Sequence, residues 1–375
     1  MPDSKVRGGR FFWGEMDEHF MREALELAAK GCGLVSPNPM VGAVLVKSNR
    51  VVGRGYHRRF GAAHAEIEAI RDAKGEARKA TLYVTMEPCC FQGKTPPCTE
   101  AIVQAGINRV VAAMVDPNPR VQNRGLRCLR RAGVKVEVGL LEKEARRLNE
   151  AYITFMSEHR PFVMLKVAAS LDGMMASSEG ESEWITGEKA REMGQKLRSM
   201  SDAVLVGVGT ILRDNPLLTC RINKEKRLLR VVLDTTLKTS PESRLFSADG
   251  KVVIFTATRN EVRVRRLEKV GAEVVRVREE QKGRLAWQDV LRELYQRQIM
   301  CVLIEGGPTV ASSALEAGVV DKAFFFQAPK ILGPGRLFSA GIKPRSLEGA
   351  LVLKDVRHIE MGDDILTEGY VYRFS

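Results

Sequence analysis

At 375 residues, with 44% hydrophobic and 28% charged side chains and no repeat or low-complexity tract, the sequence excludes a disordered chain and is too long for one typical core, so two domains are expected, three at most. Its net charge of +13 steers anionic partners, yet the basic residues are scattered and only three Trp and six Tyr are available, which argues against a nucleic-acid surface and leaves phosphorylated metabolites. An odd count of seven cysteines with no secretory leader, and no apolar run of membrane-spanning length, make the chain read as a cytoplasmic protein without disulfides or a membrane partner.

In chain order, residues 17–30 carry Phe20, Ala24 and Leu27 on one helical face, with Asp17 as the expected cap and Gly31 as the stop. Two apolar strands, 40–46 and 51–57, flank the polar turn KSNR. A helix over 65–74, a strand over 81–87, a helix over 99–105 closed by Gly106 and a strand over 109–115 follow, and one more helix and strand complete the unit near Gly139. Strands alternating with helices in this way predict a three-layer α/β/α sandwich. Apolar residues at 141, 145, 148, 152 and 155 form one helical stripe that ends before Pro161, which sets the domains at 14–145 and 161–375 with a linker helix over 146–160. Beyond it, FVMLKVAAS, DAVLVGVGT, LRVVLD, KVVIFTA, AEVVRV and MCVLIEGG restart the alternation as a second α/β domain. KAFFFQAPKIL and the terminal YVYRF read as an antiparallel end.

Chemistry concentrates first in YVTMEPCCFQGKTPPCTEAI, where Cys89, Cys90 and Cys98 sit among prolines after a buried strand. Adjacent cysteines pair poorly with each other, so metal binding or catalysis is expected. Upstream, HAE places His64 and Glu66 at a helix start. One imidazole and two thiolates, His64, Cys89 and Cys98, suit a zinc ion whose fourth position stays open, and helix N-termini favour the thiolates. Glu66 is then free to move protons between water and a leaving amine. The pattern matches the zinc-dependent base deaminases only in part, because position 92 is Gln and eight residues separate Cys89 from Cys98. A structural zinc with Cys90 as a fourth ligand is the competing reading.

That long spacing, PCCFQGKTPPC, together with SPNPMVGAVLV and GRGYH, resembles the deaminase half of the bifunctional deaminase-reductases of riboflavin biosynthesis, and the resemblance covers nearly the whole chain. It implies a cytidine deaminase-like first domain that removes the ring amino group of a pyrimidinone bearing a ribosyl phosphate. It assigns His64, Cys89 and Cys98 to one zinc ion, Glu66 to the proton shuttle, and Asn38, His57, Lys94, Asp116 and Asn118 to substrate. This chain departs from the family by placing Cys90 and Phe91 where Ser and His are common, which removes a substrate contact credited to that His.

In the second domain GVGTIL lacks the third glycine of a dinucleotide fingerprint. CVLIEGGPTVASSAL instead runs from strand through glycines into a helix whose first amides suit a diphosphate. LKVAASLDGMMA, GESEWITG, LVGVGTILRDNPLLTCR and IEGGPT are similar to the reductase half of the same family, which implies a dihydrofolate reductase-like fold and NADPH. The implied cofactor contacts are Ala168, Trp184, Thr210, Asp214, Thr235 and the turn Gly307, Pro308, Thr309, Val310, Ala311, Ser312 and Ser313. The implied substrate contacts are Ser182, Arg198, Leu218, Arg221 and Glu305, with both arginines suited to the sugar phosphate. Trp184 as core, Asp214 as a turn residue and Lys166 as proton donor or orienter remain open. The family resemblance also implies a homo-oligomer. The rival function is a nucleoside or tRNA base deaminase with an accessory domain, and a zinc-stabilised binding protein ranks behind it.

Overall fold

The turn at 47–50 closes as the two-residue hairpin its residues favour: Ser48 and Asn49 both take positive φ, 49° and 58°, the backbone that matches the twist of the strands on either side. The computed structural model in which this is seen describes residues 13–92, 96–179, 184–223, 225–281, 283–343 and 345–372. It divides into two units, Met1–His159 and Arg160–Ser375.

The first unit runs α1 (Glu15–Ala29), β1 (Gly42–Lys47), β2 (Arg50–Tyr56), α2 (Ala65–Asp72), β3 (Thr81–Val84), α3 (Cys98–Gln104), β4 (Arg109–Ala112), α4 (Arg124–Arg131), β5 (Lys135–Val138), α5 (Glu142–Leu148) and α6 (Glu150–Glu158). Its sheet has the order β2-β1-β3-β4-β5, antiparallel around β1 and parallel from β3 to β5. Successive residues of β1 face opposite sides, so Ala43 and Leu45 join Ala65 and Ala69 of α2 in one core while Gly42 faces α1. A Cβ on Gly42 would lie 1.9 Å from the Ala24 carbonyl, and one on Gly55 would lie 2.2 Å from the Ala65 carbonyl, so glycine sets how closely each helix seats on the sheet. The three expected layers result.

Two local expectations change. Asp17 is not the cap of α1; Gly14 is, and Asp17 in the first turn accepts the Gly14 N–H at 3.3 Å and bonds Tyr83 Oη at 2.6 Å and an Arg109 nitrogen at 2.9 Å. The stripe over 141–155 is two helices rather than one. They break at Asn149 (φ −109°, ψ 24°), whose side chain accepts the Met40 N–H at 2.8 Å and donates to the Met40 carbonyl at 2.9 Å.

The second unit comprises β6 (Phe162–Ser170), β7 (Met174–Ser177), α7 (Glu188–Met200), β8 (Ala203–Gly207), α8 (Val208–Asp214), β9 (Leu229–Leu233), β10 (Val252–Thr256), α9 (Glu261–Glu268), β11 (Ala272–Arg276), β12 (Glu279–Gln281), β13 (Arg284–Leu285), α10 (Trp287–Gln296), β14 (Cys301–Ile304), α11 (Pro308–Glu316), β15 (Lys322–Ala328), β16 (Gly335–Leu337), β17 (Val352–Met361) and β18 (Asp364–Tyr372). Its large sheet has the order β11-β10-β9-β8-β14-β6-β15-β18-β17. It is parallel from β11 to β15, and β18 and β17 add antiparallel strands. The strand KAFFFQA is thus parallel to β6 on one side and antiparallel only to β18. Apolar strands buried on both faces, such as β8 and β14, form the centre of the core. At their carboxyl ends Gly207 and Gly306 both abut Val310, each within 2.6 Å of a would-be Cβ, which draws the starts of α8 and α11 together.

Candidate active site

His64 precedes α2, Cys98 begins α3, and Cys89 lies in the segment that leaves β3. The fold brings the ligand atoms of all three within 4.8 Å of one another. His64 Nδ1 stands 3.2 Å from Cys98 Sγ and 3.6 Å from Cys89 Sγ. A tetrahedral zinc at ordinary bond lengths separates nitrogen from sulfur by about 3.6 Å, so the donors fit that ion. Their protonation fits as well. The Cys98 thiol and then His64 pull Cys89 down to about 4, and the Cys98 backbone N–H points at its sulfur at 3.5 Å. Cys98, sharing a proton with Cys89 and fully buried, goes up instead. A divalent cation stabilises both as thiolates and releases that proton. Glu66 is 3% exposed, and burial pushes its carboxyl to about 7, with Cys89 adding to the shift. A carboxyl poised near neutrality beside these donors can both accept and give a proton.

His64, Glu66 and Cys89 line a cavity of about 110 Å³ that also holds Asn38, His57, Asp116 and Asn118, four of the five expected substrate contacts. Lys94, the fifth, lies outside the described residues. His57 Nδ1 is 3.0 Å from the Ala63 carbonyl, which only accepts, so that nitrogen carries the proton and Nε2 accepts from the Asn38 amide at 3.1 Å. Burial lowers the His57 pKa and keeps the ring neutral in this role. Asp116, raised to about 6 chiefly by burial, accepts the Asn118 N–H at 2.8 Å and the Tyr152 hydroxyl at 3.0 Å.

Two lining residues escaped the sequence. Tyr152 stood in an apolar helical stripe, where a phenol reads as core. Glu87 precedes the PC pair, and its buried carboxylate accepts the N–H groups of Asp116 (3.2 Å), Asn123 (3.0 Å) and Leu126 (3.2 Å). The close approach of Gly125, whose Cβ would lie 2.0 Å from the Pro88 carbonyl, makes that clamp possible. Only the TMEPC spacing relative to the later DPNP loop could have hinted at it.

The second unit has a larger cleft of about 440 Å³ at the carboxyl ends of β6, β8 and β14, where open α/β sheets place ligands. Ala168, Trp184, Thr210, Asp214, Arg198, Leu218, Arg221, Glu305, Gly307 and Pro308 line it, as does Lys166. Trp184 is 58% exposed under the Arg191 guanidinium, 4.6 Å from its ring centre, so it is not a core residue. Arg198 is a bound cation rather than a free one: Nε and Nη2 meet Glu305 at 2.9 and 2.6 Å, and Nη1 donates to the Thr219 carbonyl at 2.8 Å. Burial works to raise the Glu305 carboxyl, but Arg198, Lys166 and Arg221 hold it below its usual range. Burial depresses the Lys166 ammonium, with Glu305 opposing and Arg198 assisting.

Other expected cofactor contacts lie elsewhere. Val310, Ala311 and Ser312 are buried, and the Ser312 hydroxyl donates to the Phe338 carbonyl. The Ser313 hydroxyl accepts from the Trp287 indole, and Thr235 Oγ1 donates to the Gly283 carbonyl. The Val310 and Ala311 amides turn back to the Gly307 carbonyl. Neither Thr235 nor Thr309 lines the cleft, and Ser182 lies outside the described residues.

Comparison with known proteins matches both units. Residues 14–114 fit the cytidine and deoxycytidylate deaminase zinc-binding region, and residues 161–367 fit the RibD C-terminal domain. The riboflavin biosynthesis protein RibD of Bacillus amyloliquefaciens is 44% identical, over 92% of each chain. That of Aquifex aeolicus is 40% identical over 94% of this chain and 98% of its own. Among solved structures, a diaminohydroxyphosphoribosylaminopyrimidine deaminase/5-amino-6-(5-phosphoribosylamino)uracil reductase from Thermotoga maritima superposes with a TM-score of 0.83 at 39% identity, covering 95% of this chain and 99% of its own. The RibD of Acinetobacter baumannii gives 0.87 at 35% identity, over 96% and 99%. A cytidine deaminase-like domain followed by a dihydrofolate reductase-like one, with relatives matching nearly end to end, places this chain in the RibD family of bifunctional riboflavin-biosynthesis deaminase-reductases.

Proposed function

We propose that the first unit hydrolyses the ring amino group of a diaminopyrimidinone ribosyl phosphate to ammonia, and that the second reduces the ribosyl group of the product to a ribityl chain with NADPH. The convergence of His64, Cys89 and Cys98 beside buried Glu66 carries this reading, because a structural zinc site has no need of a carboxyl held near neutrality.

In the first unit, His64, Cys89 and Cys98 hold one zinc ion, which when bound makes water a competent nucleophile at neutral pH. Glu66 takes the water proton and delivers it to the departing nitrogen. Asn38 and neutral His57 form one polar edge of the ring pocket, and Asp116 with Asn118 forms another. Lys94 is assigned to substrate on the family resemblance alone. In the second unit NADPH supplies the hydride. Trp184, Thr210, Asp214, Ala168, Gly307 and Pro308 line the cleft and would hold the cofactor there. Thr235 and the turn from Thr309 to Ser313 are assigned to the cofactor on the family resemblance alone. Leu218 packs against substrate, Glu305 and Ser182 bond it, and Lys166 stands ready as proton donor. With Arg198 spent on Glu305, the sugar phosphate falls to Arg221, an exposed arginine of the cleft.

The substrate is a phosphorylated small molecule in this reading, and nucleic acid and membrane are not partners. No helix among the described residues is long and apolar enough to cross a membrane. A cytoplasmic homo-oligomer is part of the same proposal.

Mass spectrometry of the diaminopyrimidinone ribosyl phosphate after incubation with the pure protein and NADPH tests both halves at once. Deamination and hydride addition change the mass by different amounts, and a product carrying both is expected. Unchanged substrate, with zinc bound, overturns the reading.

A further inference from the structure

The deaminase cavity formed by the described residues is on the scale of a single ring. An apolar cavity of about 150 Å³ accommodates one benzene ring, and this one measures about 110 Å³. On the deaminase reading above, only the heterocycle enters, and the sugar phosphate lies at the mouth. The cavity wall includes Phe91, a residue that the proposed mechanism does not use.

Phe91 lines the cavity and is half-buried, while Arg120 does not reach the cavity. Its guanidinium carbon stands 4.6 Å from the centre of the Phe91 ring, well inside the range of cation–π attraction. Phe91 thus touches both the cavity and the Arg120 guanidinium. No carboxylate among the described residues pairs with Arg120, which is exposed. Its backbone is nonetheless fixed. The Arg120 N–H donates to Asn118 Oδ1 at 3.0 Å, and Glu87 clamps the loop on both sides through the Asp116 and Asn123 amides. A planar donor fork on an anchored loop, held against an aromatic face, loses little freedom when it meets an anion, and phosphate matches its geometry.

We propose that Arg120 receives the phosphate of the deaminase substrate and that Phe91 is the positioning residue that holds its guanidinium at the cavity mouth. Together they make the first unit selective for the phosphorylated pyrimidine over the bare riboside. The position that carries Phe91 thereby acts on the opposite end of the substrate from the zinc.

The test compares deamination of the ribosyl phosphate with that of the dephosphorylated riboside, by ammonia release, in the zinc-loaded full chain. Arg120→Ala is expected to lower the preference for the phosphorylated substrate about tenfold, mainly through KM, the loss of one charged hydrogen bond. Arg120→Lys should recover part of it. Phe91→Leu should lower the same preference, and the Phe91→Leu/Arg120→Ala double variant should fall no further than Arg120→Ala alone. Ribose phosphate should compete with substrate in the wild type and about tenfold more weakly in Arg120→Ala. An unaltered preference in Arg120→Ala, or equal losses on both substrates, overturns the proposal while leaving deamination intact. A wild type that deaminates neither compound overturns the deaminase reading itself.

Discussion

Glu66 and Asp116 are both buried carboxyls raised by desolvation, yet they have different work to do. Glu66→Gln keeps the shape and removes the titrating group, so deamination should drop by about 10²- to 10⁴-fold, while metal analysis still finds zinc and reduction of pre-deaminated intermediate continues. Unimpaired deamination would make the cluster structural. Asp116 allows a test by pH. Its carboxyl is pushed from 3.8 up to about 6, so the folded chain holds that proton more tightly than the unfolded chain does. Between about pH 4 and pH 6 the native state binds more protons, and stability falls as pH rises through that window. Asp116→Asn removes the charging penalty and keeps an acceptor for Asn118 and Tyr152. The stability of this variant relative to wild type should therefore rise by about 2–3 kcal/mol between roughly pH 4 and pH 8, as read by denaturant unfolding with hydrogen exchange resolving the first unit. A difference that stays flat with pH would mean the carboxyl is not protonated in the fold.

At the scale of elements, the break at Asn149 is as consequential as any strand. Its amide closes two bonds to Met40, two residues beyond Asn38, and so ties the α5–α6 corner to the loop that supplies one edge of the ring pocket. Asn149→Ala leaves the partly buried Met40 N–H and carbonyl unmet and should destabilise the first unit by about 1–3 kcal/mol, with a higher KM for deamination; an unshifted unfolding midpoint would contradict this. The sequence could not reveal the break, because the apolar spacing at 141, 145, 148, 152 and 155 suits one continuous helix and the capture of Met40 is a contact across 109 residues. Elements whose signal is local were legible: β6 occupies the run from Phe162 to Ser170 that the apolar pattern marked, and the hairpin turn is written in Ser48 and Asn49. Strand β17 was not, since it is largely exposed, bulges between Lys354 and Arg357, and takes positive φ at Asp355, which leaves no apolar alternation to find. The same divide runs through the sites. HAE and PC mark the candidate metal ligands His64 and Cys89 because each motif is a short local run at a helix start or just after a strand, whereas Tyr152, Glu87 and the Arg198–Glu305 pair depend on residues brought together from distant segments.

For the molecule as a whole, each unit carries its own core and its own site, and the chemical needs of the two sites do not overlap. The donors that suit zinc are all in the first unit, and the reductase cleft is lined by arginines, a lysine and Glu305 with no thiol–imidazole cluster among its described residues. Metal removal should therefore separate the two activities. Lowering the pH helps a chelator, because the thiolate pair regains the proton it shares when the ion leaves and metal affinity falls as it does. After dialysis against a chelator at mildly acidic pH and return to neutral buffer, the chain should have lost about one zinc per protomer and its deaminase activity with it. Reduction of the deaminated intermediate by NADPH should persist, and added zinc should restore the first step. Loss of both activities together would show that the metal supports the fold beyond its own unit, and loss of neither would remove zinc from the chemistry. A reductase that survives alone would establish that the two reactions are joined by sharing a chain and an intermediate rather than a catalytic group.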